Sequence, residues 1–152
     1  MKQLTLLFLI KEDKILLAMK KRGFGEGLWN GVGGKLNENE SVEEAAVREC
    51  QEEIGVTPKR FEKVAMLTFM DMTMGEMLVS VFLCQEWEGE PEESEEMRPQ
   101  WFEANALPFE SMWEDDPHWL PRIIKGEKLT GTFNFDKDNH LINFDMTPVN
   151  SF

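Results

Sequence analysis

Glu49, Glu52 and Glu53 occupy positions i, i+3 and i+4 of the stretch GGKLNENESVEEAAVRECQEEIGV, which runs from Gly33 to Val56. At 100° per residue, a helix gathers these carboxylates on an arc roughly 100° wide. Like charges at such spacings repel by about 0.2–0.5 kcal/mol per pair on an isolated helix, so something positive should offset them. Arg48 adjoins them but brings a single charge. A divalent cation does better. Carboxylate oxygens with no Cys or His close by suit Mg²⁺, or Mn²⁺ in its place, rather than Zn²⁺. The alternative is a solvated acidic face on an acidic protein.

Three further stretches carry groups with chemical uses. Lys20, Lys21 and Arg22 lead the loop Gly23-Phe24-Gly25-Glu26-Gly27, and positive charge is scarce in this chain. The loop lacks the spacing of a Walker sequence, so no P-loop is implied. It reads as a flap whose bases meet phosphate or a base edge, or else as a mobile solvated loop. In Leu28-Trp29-Asn30-Gly31-Val32-Gly33-Gly34-Lys35 the glycines let backbone approach a ligand and expose carbonyls to a metal. Asn30 offers both donors and acceptors to a polar ring edge, although taken alone it is more often a turn residue. Finally, Trp113-Glu114-Asp115-Asp116-Pro117 combines an aromatic with adjacent acids. There Asp116 doubles as a helix cap before a first-position proline, and Trp113 as a core residue.

Elements must position these groups. Ser41 and Glu44 form a capping-box pair, and Gly55 followed by Pro58 is a stop. Between them Val42, Ala46, Val47, Cys50 and Ile54 share one side and should face a core. Ala45 falls inside the glutamate arc and leaves room beside the carboxylates. Residues 3–11 and 14–19 read as an antiparallel strand pair about a Glu12-Asp13 turn, with Thr5 the lone polar side chain among leucines. Strands are predicted over 61–69 and 77–87, around a turn containing Gly75 and a methionine cluster, Met66, Met70, Met72, Met74 and Met77. Methionines of this kind fill core gaps or line adaptable pockets. The acidic segment 86–96 should be a loop, 98–103 a short strand, and 104–108 a turn. A short helix begins at Asp116-Pro117 and is limited by Pro121 and closed by Gly126. Residues 130–135 and 140–146 make a last hairpin. His118 and His140 lack a partner at ligand spacing and read as structural or exposed.

The chain has 152 residues, 41% hydrophobic and 30% charged, with a net charge of −13. That length suits one globular domain, residues 1–152. The acidity argues against binding a nucleic-acid polymer through a broad basic surface, while leaving room for a small polyphosphate ligand with its metal. No apolar run approaches the roughly 20 residues that cross a bilayer. LTLLFLI ends early at Lys11, Glu12 and Asp13 with no cleavage site, so no signal peptide is read and no membrane association is expected. Two cysteines, Cys50 and Cys84, imply no disulfide framework, and a reducing cytoplasm is the expected location. A monomer is expected.

The full spacing is more specific than any of its parts. Gly34, five residues, Glu40, seven residues, Arg48-Glu49, apolar Cys50, one residue, Glu52-Glu53, one residue, Gly55 and apolar Val56 resembles the Nudix box at every fixed position. More narrowly, KKRGFGEGLWNGVGGK, EEMRPQWF and FESMWEDDPHWLP, with the late TGTFNF hairpin, resemble the MutT-homologue class of oxidised purine nucleoside triphosphatases over nearly the whole chain. This resemblance implies an α/β (α+β) fold, an α-β-α sandwich around a mixed β-sheet. It also implies hydrolysis of 8-oxo-dGTP, and by extension 2-hydroxy-dATP, to monophosphate plus pyrophosphate, which sanitises the nucleotide pool. Matched by position, the Gly33 carbonyl with Glu49, Glu52, Glu53 and Glu96 would hold Mg²⁺. Glu52, Glu53, Glu96 and Arg48 would form the catalytic group. Lys20, Asn30, Trp113, Asp115 and Asp116 would line the base pocket, with Thr5 at its floor and Phe24 closing one side. Gly34 and Lys35 would meet substrate, and Lys20 or Lys21 with Lys35 the phosphates.

Two positions depart from that class. Val32 stands where a bulkier aromatic is common, and Glu114 where a proline separates the tryptophan from the aspartates. Other readings are a Nudix enzyme acting on ADP-ribose or a dinucleoside polyphosphate, a nucleotide sensor that binds without cleaving, and an acidic structural protein. The complete glutamate set weighs against the sensor, and the box spacing against the structural protein.

Overall fold

The apolar N-terminal run forms β1 (Lys2–Lys11), whose middle is buried on both faces, which is why it shows no clean polar alternation. β1 turns at Glu12 into β2 (Lys14–Lys20), but the two strands share only the pairs Ile10–Ile15 and Lys11–Lys14. Beyond them the strands part. The freed edge of β1 takes the glycine segment instead, through bridges Leu7–Val32 and Leu4–Lys35. β2 pairs along its length with β6 (Met97–Glu103) and briefly with β3 (Trp29–Asn30), a strand that sequence reasoning missed inside the glycine-rich segment. The fork between β1 and β2 opens the cavity described below.

On its other edge β1 runs parallel to β5 (Gly75–Glu88), which pairs antiparallel with β4 (Thr57–Asp71). β4 then runs parallel to β7 (Lys128–Phe135), and β7 antiparallel to β8 (Leu141–Val149). The order β3-β2-β1-β5-β4-β7-β8, with β6 beside β2, is one mixed eight-stranded sheet. The computed structural model describes residues 1–152.

One helix covers each face, so the expected sandwich is present. α1 (Val42–Ile54) packs Ala46, Cys50 and Ile54 on Leu7, Leu9, Leu16, Phe82 and Cys84. Its start is the full capping box: Ser41 Oγ accepts the Glu44 N–H at 3.1 Å, and Glu44 accepts the Ser41 N–H at 2.9 Å. Gly55, at φ 70°, ends it in the left-handed region. On the opposite face α2 (Asp116–Ile124) packs Trp119, Leu120 and Ile123 against Phe8, Leu67, Leu129 and Phe133.

Several sequence expectations need correction. β4 and β5 are longer than 61–69 and 77–87, since each extends the other's ladder down to the tight turn at Gly75. β5 therefore takes the first residues of the acidic loop. Asp115, not Asp116, stands at the N-cap of α2, and its side chain makes no capping bond. Pro121 lies inside α2 rather than limiting it. The buried Trp119, Leu120 and Ile123 hold the helix past the missing N–H, so tertiary packing overrides local propensity. The final hairpin starts earlier, at Lys128, and its second strand begins at Leu141 rather than His140.

Candidate active site

A cavity of about 220 Å³ lies in the fork of the sheet. Thr5, Lys20, Phe24, Asn30, Trp113, Asp115 and Asp116, the residues expected about a base pocket, line it together with Gly33, Gly34 and Lys35, while Arg48, Glu49, Glu52, Glu53 and Glu96 do not. Glycine is obligatory at Gly33 beside β1, where a Cβ would fall 1.8 Å from the Thr5 carbonyl oxygen; one on Gly34 would fall 2.9 Å from Glu49 Oε1, the end of a side chain that can shift. The Gly33 carbonyl accepts no backbone hydrogen bond, although its neighbours at Val32 and Gly34 do.

The α1 glutamates are partitioned among cations. Arg48 forks onto Glu40 at 2.7 and 2.9 Å and reaches Glu49 at 2.8 Å, Glu52 at 3.3 Å and the Lys35 carbonyl at 3.0 Å. These bonds make Arg48 a bracket fixing the loop to the helix, and it is not among the residues lining the cavity. Its hydrogen bonds hold the Glu40 carboxyl below the usual range. Glu40, a fixed position of the box with no role assigned from sequence, is this bracket's other half. Glu53 is treated differently: burial, then the adjoining Glu49 carboxylate, pushes it up to about 9. Its Oε2 is buried with no hydrogen-bond partner.

Glu96, arriving from the loop before β6, is gripped by Arg22 at 2.5 and 2.9 Å, which holds its carboxyl below the ordinary range. No three acidic side chains converge in ligating geometry, because Arg48 and Arg22 hold Glu49, Glu52 and Glu96. The donor chemistry nonetheless fits a hard divalent ion. A bare buried carboxylate oxygen on Glu53, a free carbonyl at Gly33 and further carboxylates nearby form an all-oxygen set.

The cavity wall around Trp113 and the adjacent aspartates is built differently. Trp113 meets Phe24 of the glycine loop at 5.0 Å between ring centres, and Phe135 of β7 edge-on at 6.2 Å. Asp115 and Asp116 are 3% and 2% exposed, a rare condition for adjacent acids. Trp119 Nε1 donates to Asp115 Oδ2 at 2.7 Å, while Asp116 Oδ2 has no partner. Burial pushes Asp115 up to about 6 despite that bond. Burial, and next the charge of Asp115, raises Asp116 well above its ordinary value. The pair therefore tends to hold a proton between them. Thr5 adds a second buried, unpartnered oxygen.

Lys21 turns away from the cavity to Glu93 at 2.6 Å, leaving Lys20 and Lys35 as the lining bases. Phe69, Asp71, Met77, Phe135 and Trp119 also line the cavity and were not assigned there from sequence. They sit on strands and a helix far apart in the chain, and only the methionine cluster signalled a pocket. His118 stacks on Phe144 at 4.3 Å, and exposed His140 pairs with Glu114 at 2.7 Å.

A sheet with one helix per face, and a loop-helix-loop presenting glutamates beside a glycine pair, defines a class. The NUDIX domain model matches residues 2–123, and the chain belongs to that family. It is 40% identical over 149 residues to the mouse oxidized purine nucleoside triphosphate hydrolase, covering 97% of this chain and 96% of that one. The zebrafish (Danio rerio) protein of the same name gives the same identity and coverage. Among solved structures, a MutT protein from Bacillus halodurans superposes with a TM-score of 0.84 at 27% identity, over 96% of this chain and 97% of that chain.

Proposed function

We propose that this enzyme, a hydrolase of phosphoric anhydrides, converts oxidised purine nucleoside triphosphates to the monophosphate and pyrophosphate. 8-oxo-dGTP is its first substrate and 2-hydroxy-dATP a second. The observation that carries this reading is the buried Asp115–Asp116 pair on the cavity wall. Oxidised guanine presents N–H donors and a carbonyl acceptor on its pairing edge. A pair sharing one proton offers an acceptor and a donor together, and moving the proton accommodates a different oxidised purine. The 40% identity to hydrolases of that name over nearly the whole chain supports the same substrate class.

In this reading Trp113 and Phe24 enclose the base, Asn30 adds a polar contact, and Thr5 forms the floor. Lys20 and Lys35 meet the phosphates. The Gly33 carbonyl, Glu49, Glu52, Glu53 and Glu96 hold Mg²⁺, or Mn²⁺ in its place. The ion, when bound, neutralises the triphosphate and polarises a phosphoryl oxygen. Glu52 and Glu53 orient and deprotonate the attacking water, Glu52 from a largely exposed position and Glu53 from a half-buried one. Arg48 positions Glu49 and Glu52. The protein acts as one cytoplasmic domain and as a monomer, on a small nucleotide rather than a nucleic-acid polymer. No helix is long and apolar enough to cross a membrane.

The test is a nucleotide panel with Mg²⁺, including 8-oxo-dGTP, dGTP, ADP-ribose and a dinucleoside polyphosphate, with products identified. Pyrophosphate plus monophosphate from 8-oxo-dGTP agrees with the proposal. Orthophosphate, a preference for ADP-ribose, or tight binding without turnover contradicts it.

A further inference from the structure

The base-reading residues lie on a segment tied locally by turn bonds, from the Asp116 N–H to the Trp113 carbonyl at 3.1 Å and from the His118 N–H to the Asp115 carbonyl at 3.0 Å. Trp113 to Asp115 fall between a short 3-10 turn, Phe109–Ser111, and α2, outside regular structure. The α2 N-cap side chain, Asp115, is committed to Trp119 Nε1 rather than to capping. A short segment with no side-chain cap frays readily unless something outside it holds it.

Glu114 supplies such a hold. While Trp113, Asp115 and Asp116 line the cavity, the exposed Glu114 carboxylate divides its two oxygens. Oε1 accepts the backbone N–H of Leu141 at 2.9 Å, and Oε2 pairs with His140 Nδ1 at 2.7 Å. The receiving turn is rigid. Asp136 Oδ1 accepts the N–H groups of Asp138 and His140 at 2.8 and 3.0 Å, and Asn139 sits at φ 65°. β7, which leads into this turn, also carries Phe135, the edge-on neighbour of Trp113. The same hairpin thus braces the segment from behind through Glu114 and flanks its aromatic through Phe135.

We propose that Glu114 is a positioning residue for base recognition: its two-oxygen clamp on His140 and the Leu141 N–H fixes Trp113, Asp115 and Asp116 in reading geometry. The inference rests on the proposed reading of the base by those three residues.

The clamp has a pH signature. His140 faces Glu114, Asp136 and Asp138, and Glu114 faces His140 and Asp136. The hydrogen bond and charge of Glu114 raise His140, and His140 lowers Glu114. A raised histidine is charged below its folded pKa, so the ion pair weakens as pH climbs through that value, while the Leu141 bond remains.

The test measures KM and kcat on 8-oxo-dGTP for the wild type, Glu114→Ala, Glu114→Gln and His140→Ala, with Asp116→Asn as the marker of base reading. Glu114→Ala should raise KM roughly five- to tenfold with kcat within about twofold, the pattern of lost binding geometry without lost chemistry. Glu114→Gln, which keeps an acceptor for Leu141, should restore most of that loss. His140→Ala should diminish the rise of KM expected in the wild type at alkaline pH, leaving the part that comes from the Asp115–Asp116 pair. If Asp116→Asn loses activity while Glu114→Ala keeps its KM within about twofold, base reading stands and the clamp is wrong. A joint fall in kcat and Tm without a KM change would make Glu114 merely structural and also overturn it. If Asp116→Asn is unaffected, base reading itself fails and the clamp with it.

Discussion

The α1 glutamates, of which Glu49 lies against the cavity-lining Gly34, and the Asp115–Asp116 pair on the cavity wall are both runs of crowded acids, yet different physics keeps them tolerable. The glutamates stand on a partly solvated helix face, and for all but the raised Glu53 the crowding is relieved by charge. Arg48 takes Glu40, Glu49 and Glu52, Arg22 takes Glu96, and Glu53 keeps a bare oxygen within a donor set suited to a divalent ion. The aspartates have no cation beside them. Burial raises both, and a proton relieves the crowding instead. A cluster neutralised by cations is suited to phosphates and their metal. One neutralised by a proton is suited to a neutral base that needs a donor and an acceptor at once. In the proposed function the same residue chemistry serves two ends of one ligand.

Substitutions at the two clusters should therefore fail in different ways. The largest effect belongs to Glu53→Gln, which should lower turnover by at least about 10²-fold, the scale for a positioned catalytic group. Its fold should persist, since Glu53 is only half-buried and lies outside the packed stripe of Ala46, Cys50 and Ile54. Near-normal turnover in Mg²⁺ would remove the metal assignment. Trp113→Ala comes next. Base–aromatic stacking is worth about 1–3 kcal/mol, so KM should rise by roughly five- to 150-fold with Tm little changed. A large fall in Tm at unchanged KM would make Trp113 a core residue.

A stability scan sharpens the contrast further. A carboxyl raised by folding adds stability below its unfolded pKa and loses it as pH rises through its folded pKa. Asparagine at position 116 suffers no such loss. Asp116→Asn should match the wild type in Tm near pH 4 and exceed it by a few degrees at pH 8, where the unfolded aspartate is ionised. A Tm gap that does not change with pH would mean the pair is not held protonated. The smallest effect is expected at Ser41→Ala, which removes half of the capping box and should cost about 1 kcal/mol of stability, leaving base selectivity unchanged.

The two regions also differ in how much of them the sequence disclosed. The glutamate helix was legible from cap to stop because its determinants are local: Ser41 and Glu44 cap it, Gly55 ends it, and its apolar stripe has one period. Even so, Val42 and Val47 of that stripe are only half-buried, while Ala45, placed by periodicity among the glutamates, is fully buried with Ala46, Cys50 and Ile54. The cavity wall was legible where the resemblance supplies matched positions, at Thr5, Lys20, Phe24, Asn30, Trp113, Asp115 and Asp116. Phe69, Asp71 and Phe135 come from β4 and β7, adjacent in space through parallel pairing that no local pattern announces. β1 hid its role for another reason. Buried on both faces, it gives no alternation, and its departure from β2 after two pairs depends on the glycine segment taking the vacated edge. Pro121 misled because packing of Trp119 and Leu120 outweighs the local preference it signals.

The central claim is that the buried aspartate pair selects the oxidised base, and kcat/KM for 8-oxo-dGTP and dGTP in Asp115→Asn and Asp116→Asn tests it most directly. Losing a charge-assisted bond costs about 1.5–3 kcal/mol, so each variant should lose roughly 10- to 100-fold on 8-oxo-dGTP, narrow its preference over dGTP, and keep its Mg²⁺ affinity. If neither variant changes beyond about twofold, the aspartates do not read the base, and the substrate assignment is contradicted.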